Sequence, residues 1–294
     1  MSNLLNKRLA RSLWRTKPRL FAVVMMVAVG VFAGITFSGY SHNLDGMYET
    51  LHGDDDEGAN LADMWIDNRS TTWSHEEVTN FCSALEASWP ADMDELDSCE
   101  GRTIVQGTMF HSNDGGTQII NSLWHGIPEF ANADRLWMPS GHSEGRVASA
   151  ADEIVIDAHV VDALDLSLGD TVHIGAGSSP VEFSIVGIGY HPLHVFMAPE
   201  GSIFPPEPGQ YVVGYVSDSG MARLTNSTIG NSNTILLDVE GTPSFDLPDT
   251  EEYEGDEIDS VRNLVSRALE NAELDGRIRD CLLYTSPSPR DLWI

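Results

Sequence analysis

The sequence predicts an α+β fold in which one N-terminal transmembrane helix is followed by a mixed α/β extracytoplasmic domain. Two observations lead to this prediction. One apolar segment separates a purely basic N-terminus from a region that holds all 45 Asp and Glu residues and ten Arg. Beyond that segment, short runs of alternating apolar residues, typical of strands, are interspersed with segments of helical periodicity.

The membrane helix is predicted over residues 20–42, where Leu20–Tyr40 provides 21 mostly apolar positions without a charged side chain. A hydrocarbon core about 30 Å thick needs about 20 such residues in a helix. Residues 1–19 carry six Lys and Arg and no acid, and basic segments are retained on the cytoplasmic side of a membrane. We therefore expect a cytoplasmic segment at 1–19 and an extracytoplasmic core domain at 43–280, anchored in the cell membrane.

Two features of the apolar segment bear on its role. Gly30 and Gly34 have the GxxxG spacing, which lets a second membrane helix approach closely, so we expect them to take part in helix packing. The alternative to an anchor is a cleavable signal peptide with Val31-Phe32-Ala33 as its cleavage site. The apolar stretch is longer than the core of roughly 7–15 residues that signal peptides use, which favours an anchor.

The outer region carries 45 acidic residues against ten Arg, a formal charge of −35. Such a surface repels phosphate, so nucleic acid is excluded as a partner. We interpret most of this acid as a solvated surface.

The outer domain is predicted to begin with a short apolar strand at Ala62–Asp67, followed by a helix at Thr72–Trp89. Ser74 and Glu77 have the spacing of a capping box at the start of this helix, and Pro90 ends it. The helix has an apolar stripe at Val78, Phe81, Cys82 and Leu85.

Two strands are then predicted at Arg102–Phe110 and Thr117–Trp124, before an irregular stretch at 125–153. The next four elements follow one another closely and are predicted from alternation, helical spacing and turn residues. They are a strand at Glu153–Asp157, a short helix at Ala158–Leu164, and the strands Thr171–Ile174 and Val181–Gly189 around a GAGSSP hairpin loop.

The remaining pattern predicts a Pro-rich loop at 191–209, strands at Gln210–Val216 and Thr234–Glu240, and an amphipathic helix at Glu257–Leu274. Cys82 and Cys99 lie 17 residues apart in the outer region, where disulfides persist. A bridge between them and two buried free thiols are both open on the sequence alone.

The basic start, the early apolar segment and one stretch of the outer domain resemble the permease subunits of the MacB/FtsX-like ABC transporter family. The resemblance covers roughly residues 5–220 and is strongest at Gly169-Asp170-Thr171-Val172. It also includes Ile154–Ile156, Leu164–Leu168, Val186-Gly187-Ile188 and His125-Gly126-Ile127. Gly169 and Asp170 are expected to have structural roles in a turn, Gly169 through its backbone conformation and Asp170 through hydrogen bonds to neighbouring amides.

The resemblance implies a permease that pairs with a second copy or homologue in the bilayer and sits on cytoplasmic ABC ATPase subunits. ATP hydrolysis by the partner would move the outer domain, to export or extract a lipid, lipoprotein, peptide or drug. Permeases of this family continue into three further membrane helices. Residues 281–294 depart from the acidic, globular pattern and resemble translated sequencing-adapter read-through, so we interpret them as a non-native tail on a fragment.

The alternative function is a single-pass anchored binding or sensor domain. A third hypothesis, an anchored hydrolase, rests on Gly141-His142-Ser143-Glu144-Gly145, which matches GxSxG but lacks the strand and helix that flank a nucleophile elbow. His191 and His194 suggest a metal site, yet no further ligand has a diagnostic spacing. The sequence has no GxxxxGK[ST] motif, and we expect no catalytic residue, cofactor or metal in this chain.

Overall fold

The computed structural model describes residues 21–32, 34–36, 58–68, 70–113, 116–128, 130–138, 144–177, 179–194, 199, 206–240 and 257–280. The chain divides into two compact units, Met1–Glu49 and Thr50–Ile294. In the first unit, residues 21–32 and 34–36 are helical, and their large apolar side chains are exposed. Within the described part of the chain, no helix is both long enough and apolar enough to cross a membrane. The membrane helix over 20–42 therefore stays a prediction.

The second unit contains ten strands and four helices among its described residues. In chain order the strands are β1 Met64–Asp67, β2 Leu96–Asn113, β3 Gly116–Gly126, β4 Glu144–Gly145, β5 Glu153–Asp157, β6 Thr171–Gly175, β7 Val181–Gly189, β8 Tyr211–Val216, β9 Thr234–Val239 and β10 Arg277–Asp280. The helices are α1 His75–Ala87, α2 Ala158–Leu164, α3 Asp218–Thr225 and α4 Glu257–Asn271, with a 3-10 turn at Pro192–His194.

The first sheet is antiparallel and has the strand order β10-β1-β9-β2, with β2 contributing Leu96–Arg102. The predicted capping box is confirmed, because Ser74 accepts from the Glu77 amide and the Glu77 carboxylate accepts from the Ser74 amide. Helix α1 therefore begins at His75 and ends at Ala87, within the predicted Thr72–Trp89. One core joins α1, α4 and this sheet. Its fully buried side chains include Phe81, Leu85, Val261, Ile66 and Leu237.

The other face of the first sheet is covered by the segments 59–62 and 131–135. Trp65 and Leu236 pack there with Leu61, Ala62 and Ala133. The Asp134 carboxylate accepts hydrogen bonds from the Ala62 amide and the Trp65 indole N–H, both at 2.9 Å. Burial raises the pKa of Asp134, and these two hydrogen bonds oppose that rise.

The second sheet closes on itself. Its pairings run from the later half of β2 through β3, β8, β5, β7 and β6, and β6 pairs with β2 again. The β3–β8 and β5–β7 pairs are parallel and the others are antiparallel. Helices α2 and α3 contribute Val160, Leu164, Met221 and Leu224 to the same core.

Trp124 lies at the centre of this closed sheet, fully buried, and its indole N–H donates to the Gly175 carbonyl at 3.2 Å. The strands can approach this ring because glycines stand opposite it. A Cβ placed on Gly107 would lie 2.3 Å from Trp124 Nε1 and 2.2 Å from the Gly175 oxygen, and one on Gly214 would lie 2.7 Å from Trp124 Cζ3. Glycine is required at both positions because any side chain there would overlap the indole.

The structure agrees closely with the sequence where local signals are strong. The predicted bounds of Glu153–Asp157, Ala158–Leu164 and Val181–Gly189 are confirmed at every residue. The prediction that 125–153 is irregular is wrong at two places, because β3 extends to Gly126 and Glu144–Gly145 pairs with β7.

Four other elements differ from the sequence prediction. Strand β2 begins at Leu96 and not at Arg102, because residues 96–102 pair with β9. Helix α3 and strand β10 had no predicted counterpart. Helix α4 ends at Asn271 and not at Leu274. The Leu274 amide donates to the Leu269 carbonyl, five residues back, which is not an α-helical hydrogen bond.

The Gly107→Ala variant tests the packing around Trp124. The added methyl group overlaps both the indole and a backbone oxygen, so we expect the free energy of unfolding to fall by about 3 kcal/mol. Chemical denaturation monitored by tryptophan fluorescence measures the change. The neighbouring Gln106 is exposed, so Gln106→Ala is the matched control and should change stability by less than about 0.5 kcal/mol. Equal effects of the two variants would contradict this account of the core.

Candidate functional site

Cys82 and Cys99 are joined by a disulfide that connects α1 to β2, with an S–S distance of 1.98 Å and Cα atoms 5.6 Å apart. Both residues are half-buried. The bridge lies on the same face of β2 as Gly101, where a Cβ would contact Val78 of α1 at 3.3 Å. It therefore holds the helix directly over the first part of β2.

The turn at Gly169-Asp170 connects α2 to β6 and is tied to β7. Gly169 adopts a φ of +89°, a conformation that favours glycine, and its amide donates to the Ile185 carbonyl at 2.8 Å. The Asp170 carboxylate accepts from the Ser167 amide at 2.8 Å, and its carbonyl accepts from the Ile185 amide at the same distance. Both residues are exposed and have only backbone partners in these contacts. Their geometry is that of a structural turn.

Three histidines come together where the 3-10 turn packs against β3. They are His125, His191 and His194, which we call the histidine cluster. Nε2 of His194 lies 2.8 Å from Nε2 of His125, and the three ring centroids are 4.8–5.5 Å apart. His125 and His191 are each only 3% exposed. The sequence singled out His191 and His194, but His125 joins them only through the fold.

Asp157 and Tyr215 adjoin the histidine cluster. The Tyr215 ring stacks on His191 with centroids 5.4 Å apart, and its hydroxyl donates to Asp157 Oδ2 at 2.7 Å. Asp157 is completely buried, and its other oxygen lies 2.7 Å from His159 Nδ1. That hydrogen bond raises the pKa of His159, which is partly exposed. The single buried carboxylate is thus shared by a phenol and an imidazole.

The histidine cluster is held in its neutral form. Burial lowers the pKa of His125 and His191 well below the ordinary value, and the nearby Arg102 charge lowers both further. Burial also lowers the pKa of His194 to about 4, although the Asp157 charge opposes this. Neutral imidazoles can donate and accept hydrogen bonds to one another. The cluster therefore fastens the 190–194 segment to β3 and β8 at neutral pH.

The described part of the structure does not assemble the other residues singled out in the sequence into a catalytic or metal site. In the described ranges, no group of three His, Cys, Asp or Glu side chains is placed to hold a metal ion. Ser143 of the GxSxG match lies outside the described residues, as do 1–19 and 281–294. Gly30 and Gly34 lie on helical residues, with open space where a Cβ would be. A helix-packing role for them stays a prediction.

The comparisons with known proteins find similarity at the level of structure. No family model matches the sequence, and no curated protein matches it. The chain is similar to the periplasmic region of MacB from Actinobacillus actinomycetemcomitans, at 13% identity and a TM-score of 0.43, covering 82% of this chain and 96% of that one. It is also similar to the extracellular domain of the noncanonic ABC-type transporter YknZ from Gram-positive bacteria, at 12% identity and a TM-score of 0.39, covering 74% and 98%.

Removing the disulfide should destabilise the outer domain. In the chain-entropy account, a bridge that closes a loop of this length stabilises the folded state by about 3 kcal/mol. We expect Cys82→Ala/Cys99→Ala to lower the free energy of unfolding by that amount and to abolish any response to a reductant. Cys281→Ala keeps the bridge and is the control, with unchanged stability. If the reductant destabilises the double variant as much as the parent chain, the stabilisation does not come from this bridge.

Acid should remove the contribution of the histidine cluster to stability, because the cluster resists protonation. Each of these histidines has a folded-state pKa below its unfolded value of about 6.5, so the unfolded state binds protons first as the pH falls. Their contribution is complete above pH 6.5 and is lost as the pH falls below that value. Each histidine loses up to about 1.4 kcal/mol per pH unit until its folded-state pKa is reached, which for His194 is about 4.

Urea denaturation at pH 7.5, 6 and 5 measures this loss. His125→Gln should reduce the slope of stability against pH, because it removes one histidine whose protonation is disfavoured in the folded state. His173 is half exposed and lies outside the cluster, so His173→Gln is the matched control. The same slope in all three proteins would assign the acid sensitivity to other groups.

Proposed function

We propose that this chain is the permease subunit of an ABC transporter. In this proposal, ATP hydrolysis by a cytoplasmic partner moves the extracytoplasmic domain to export or extract a lipid, lipoprotein, peptide or drug. The chain has no phosphate-binding GxxxxGK[ST] motif, so hydrolysis belongs to the partner. Its own contribution is mechanical, and no residue of the chain is assigned to chemistry.

The sequence supports the proposal through charge and pattern. Six basic residues precede the apolar segment and all acid follows it, which favours a cytoplasmic N-terminus and an outer domain. The Gly169-Asp170-Thr171-Val172 pattern of the resembled family falls at a β-turn-β unit that is built into the closed sheet. The unit comprises β6 and β7, which pair along Thr171–Ile174 and Val181–Ser184.

The observation that carries the proposal is the placement of the first and last strands of the outer domain. Strands β1 and β10 pair antiparallel, with Met64 opposite Asp280. The chain therefore enters and leaves this domain at neighbouring points on one edge of the first sheet. That arrangement suits a domain inserted between two membrane segments, as in the resembled family.

The same edge is positioned to pass a displacement inward. Asp67 of β1 accepts from Arg279 of β10 at 2.8 Å and from Thr234 of β9 at 3.3 Å. Strand β9 in turn pairs with β2, which continues into the closed sheet. A pull on β1 and β10 would thus reach the second sheet through continuous strand pairing.

The intact gene, expressed with its neighbours, provides the test. We expect sequence beyond residue 280 to contain three further apolar segments, and an ATPase to co-purify with this chain. A nitroxide at exposed Gln106, in a Cys281→Ala background, should report a distance between two permease copies that changes on ATP addition. Replacing the P-loop lysine of the ATPase should abolish the change and keep the complex.

A chain that ends naturally near residue 294 and purifies without an ATPase would contradict the proposal and favour an anchored binding or sensor domain. A complex that hydrolyses ATP without any change in the label distance would contradict the mechanical role alone.

A further inference from the structure

The first half of β2 has a free strand edge. Residues Leu96–Arg102 pair with β9 on one side. The side chain of Asn233, just before β9, bonds both the N–H and the C=O of Ile104, so β9 and β3 lie on opposite sides of β2. The pairing with β3 begins only at Thr103. Among the described residues, no strand therefore pairs with the β3 side of Leu96–Arg102, where the Gly101 carbonyl accepts only a long hydrogen bond of 3.4 Å from the Arg102 side chain.

This edge lies in a groove with a cavity volume of about 470 Å³. Helix α1 forms one wall, on the face of β2 that carries Cys99 and the disulfide. The segment with Pro128 and Phe130 forms the other wall, and this side is fixed because Glu100 accepts from the Asn132 amide at 2.8 Å. The groove thus follows the strand edge and is bounded on both faces of the sheet.

Two buried polar atoms in the groove have no hydrogen-bond partner among the described residues. They are the hydroxyl of Ser98 and Nε of Arg102, on side chains that are 6% and 4% exposed. Unpaired buried polar groups are rare in folded proteins because each costs about 1–3 kcal/mol. Together with the free backbone edge, they indicate a site made for a polar, hydrogen-bonding occupant.

The lining of the groove indicates what that occupant carries. Four carboxylates line it, at Glu86, Asp97, Glu100 and Asp218, and the Arg102 guanidinium is already engaged by Glu100 at 2.8 Å. Phe130 stands on the opposite wall with 87% of its surface exposed. A partner with both basic and apolar side chains complements this combination.

We propose that Leu96–Arg102 binds an extended basic polypeptide segment of a partner protein as an added β-strand, with alternating side chains toward the carboxylates and toward Phe130. In this mode, main-chain hydrogen bonds provide affinity and the side chains provide selection. The proposal does not depend on the permease role, since an anchored binding domain would use the same groove.

The test uses the full 294-residue chain in a neutral detergent and a fluorescein-labelled octapeptide of sequence KVKVKVKV. Two N-methylated twins of this peptide are compared with it. One twin carries N-methyl groups on the lysine residues and the other on the valine residues, and all three peptides have the same charge. A strand that adds to the edge uses one set of its amides only. We expect one N-methylated twin to bind at least about tenfold more weakly and the other to bind like the parent peptide.

Variants of the protein locate the binding. Asp97 is exposed and lies at a break in the β2–β9 register, so Asp97→Lys should weaken binding about tenfold with little effect on folding. Asp92 is exposed and does not line the groove, so Asp92→Lys makes the same charge change as a control. Hydrogen exchange should show new protection at 96–102 with the parent peptide.

Other outcomes would overturn the proposal. Equal binding of the two N-methylated twins would mean that the peptide is held by charge alone. Equal losses in Asp97→Lys and Asp92→Lys would place the peptide elsewhere on the acidic surface. If the chain dimerises without peptide and residues 96–102 are then protected from hydrogen exchange, a second copy of the chain occupies the edge. A melting curve for each variant confirms that the folded protein is being compared.

Discussion

The outer domain depends on one strand that belongs to two sheets. Residues 96–102 of β2 pair with β9, and residues 103–113 pair with β3 and, in part, with β6. Because a strand cannot rotate one half against the other without breaking its ladder, β2 fixes the first sheet and the closed sheet in one orientation. Asn233 strengthens the junction by bonding the backbone of Ile104 with its side chain. The disulfide at Cys99 adds α1 to the same strand.

Around this strand, the two halves of the domain are stabilised in different ways. The first sheet is covered by α1 and α4 on one face and by loop segments on the other, and Asp134 of one loop accepts a hydrogen bond from Trp65 of β1. The second sheet buries its apolar side chains inside its own curvature, around Trp124. The histidine cluster lies against this closed sheet at His125 and Tyr215, so its polar contacts fasten a loop to that sheet.

The sequence predicted the elements whose signals are local. The capping box at Ser74 and Glu77 placed α1, and strict alternation placed β7. The first half of β2 reads LDSCEG, which has no strand pattern, and it is extended because β9 pairs with it from far along the chain. Short α3 was missed because Gly220 and two serines weaken the helical pattern there, although Ser217 caps it and Met221 and Leu224 have core spacing. The meeting of His125 with His191 depends on tertiary structure and left no signal in the sequence spacing.

The pairing of Met64 with Asp280 has a consequence for how the domain forms. A polypeptide is made from its N-terminus, so β1 emerges long before its partners β9 and β10 exist. Contacts of such large sequence separation fold slowly, and unpaired strands are prone to aggregate while they wait. The closed sheet can assemble earlier, since it needs only residues up to Val216. We therefore expect folding to proceed from the second sheet outward, with the first sheet completed last.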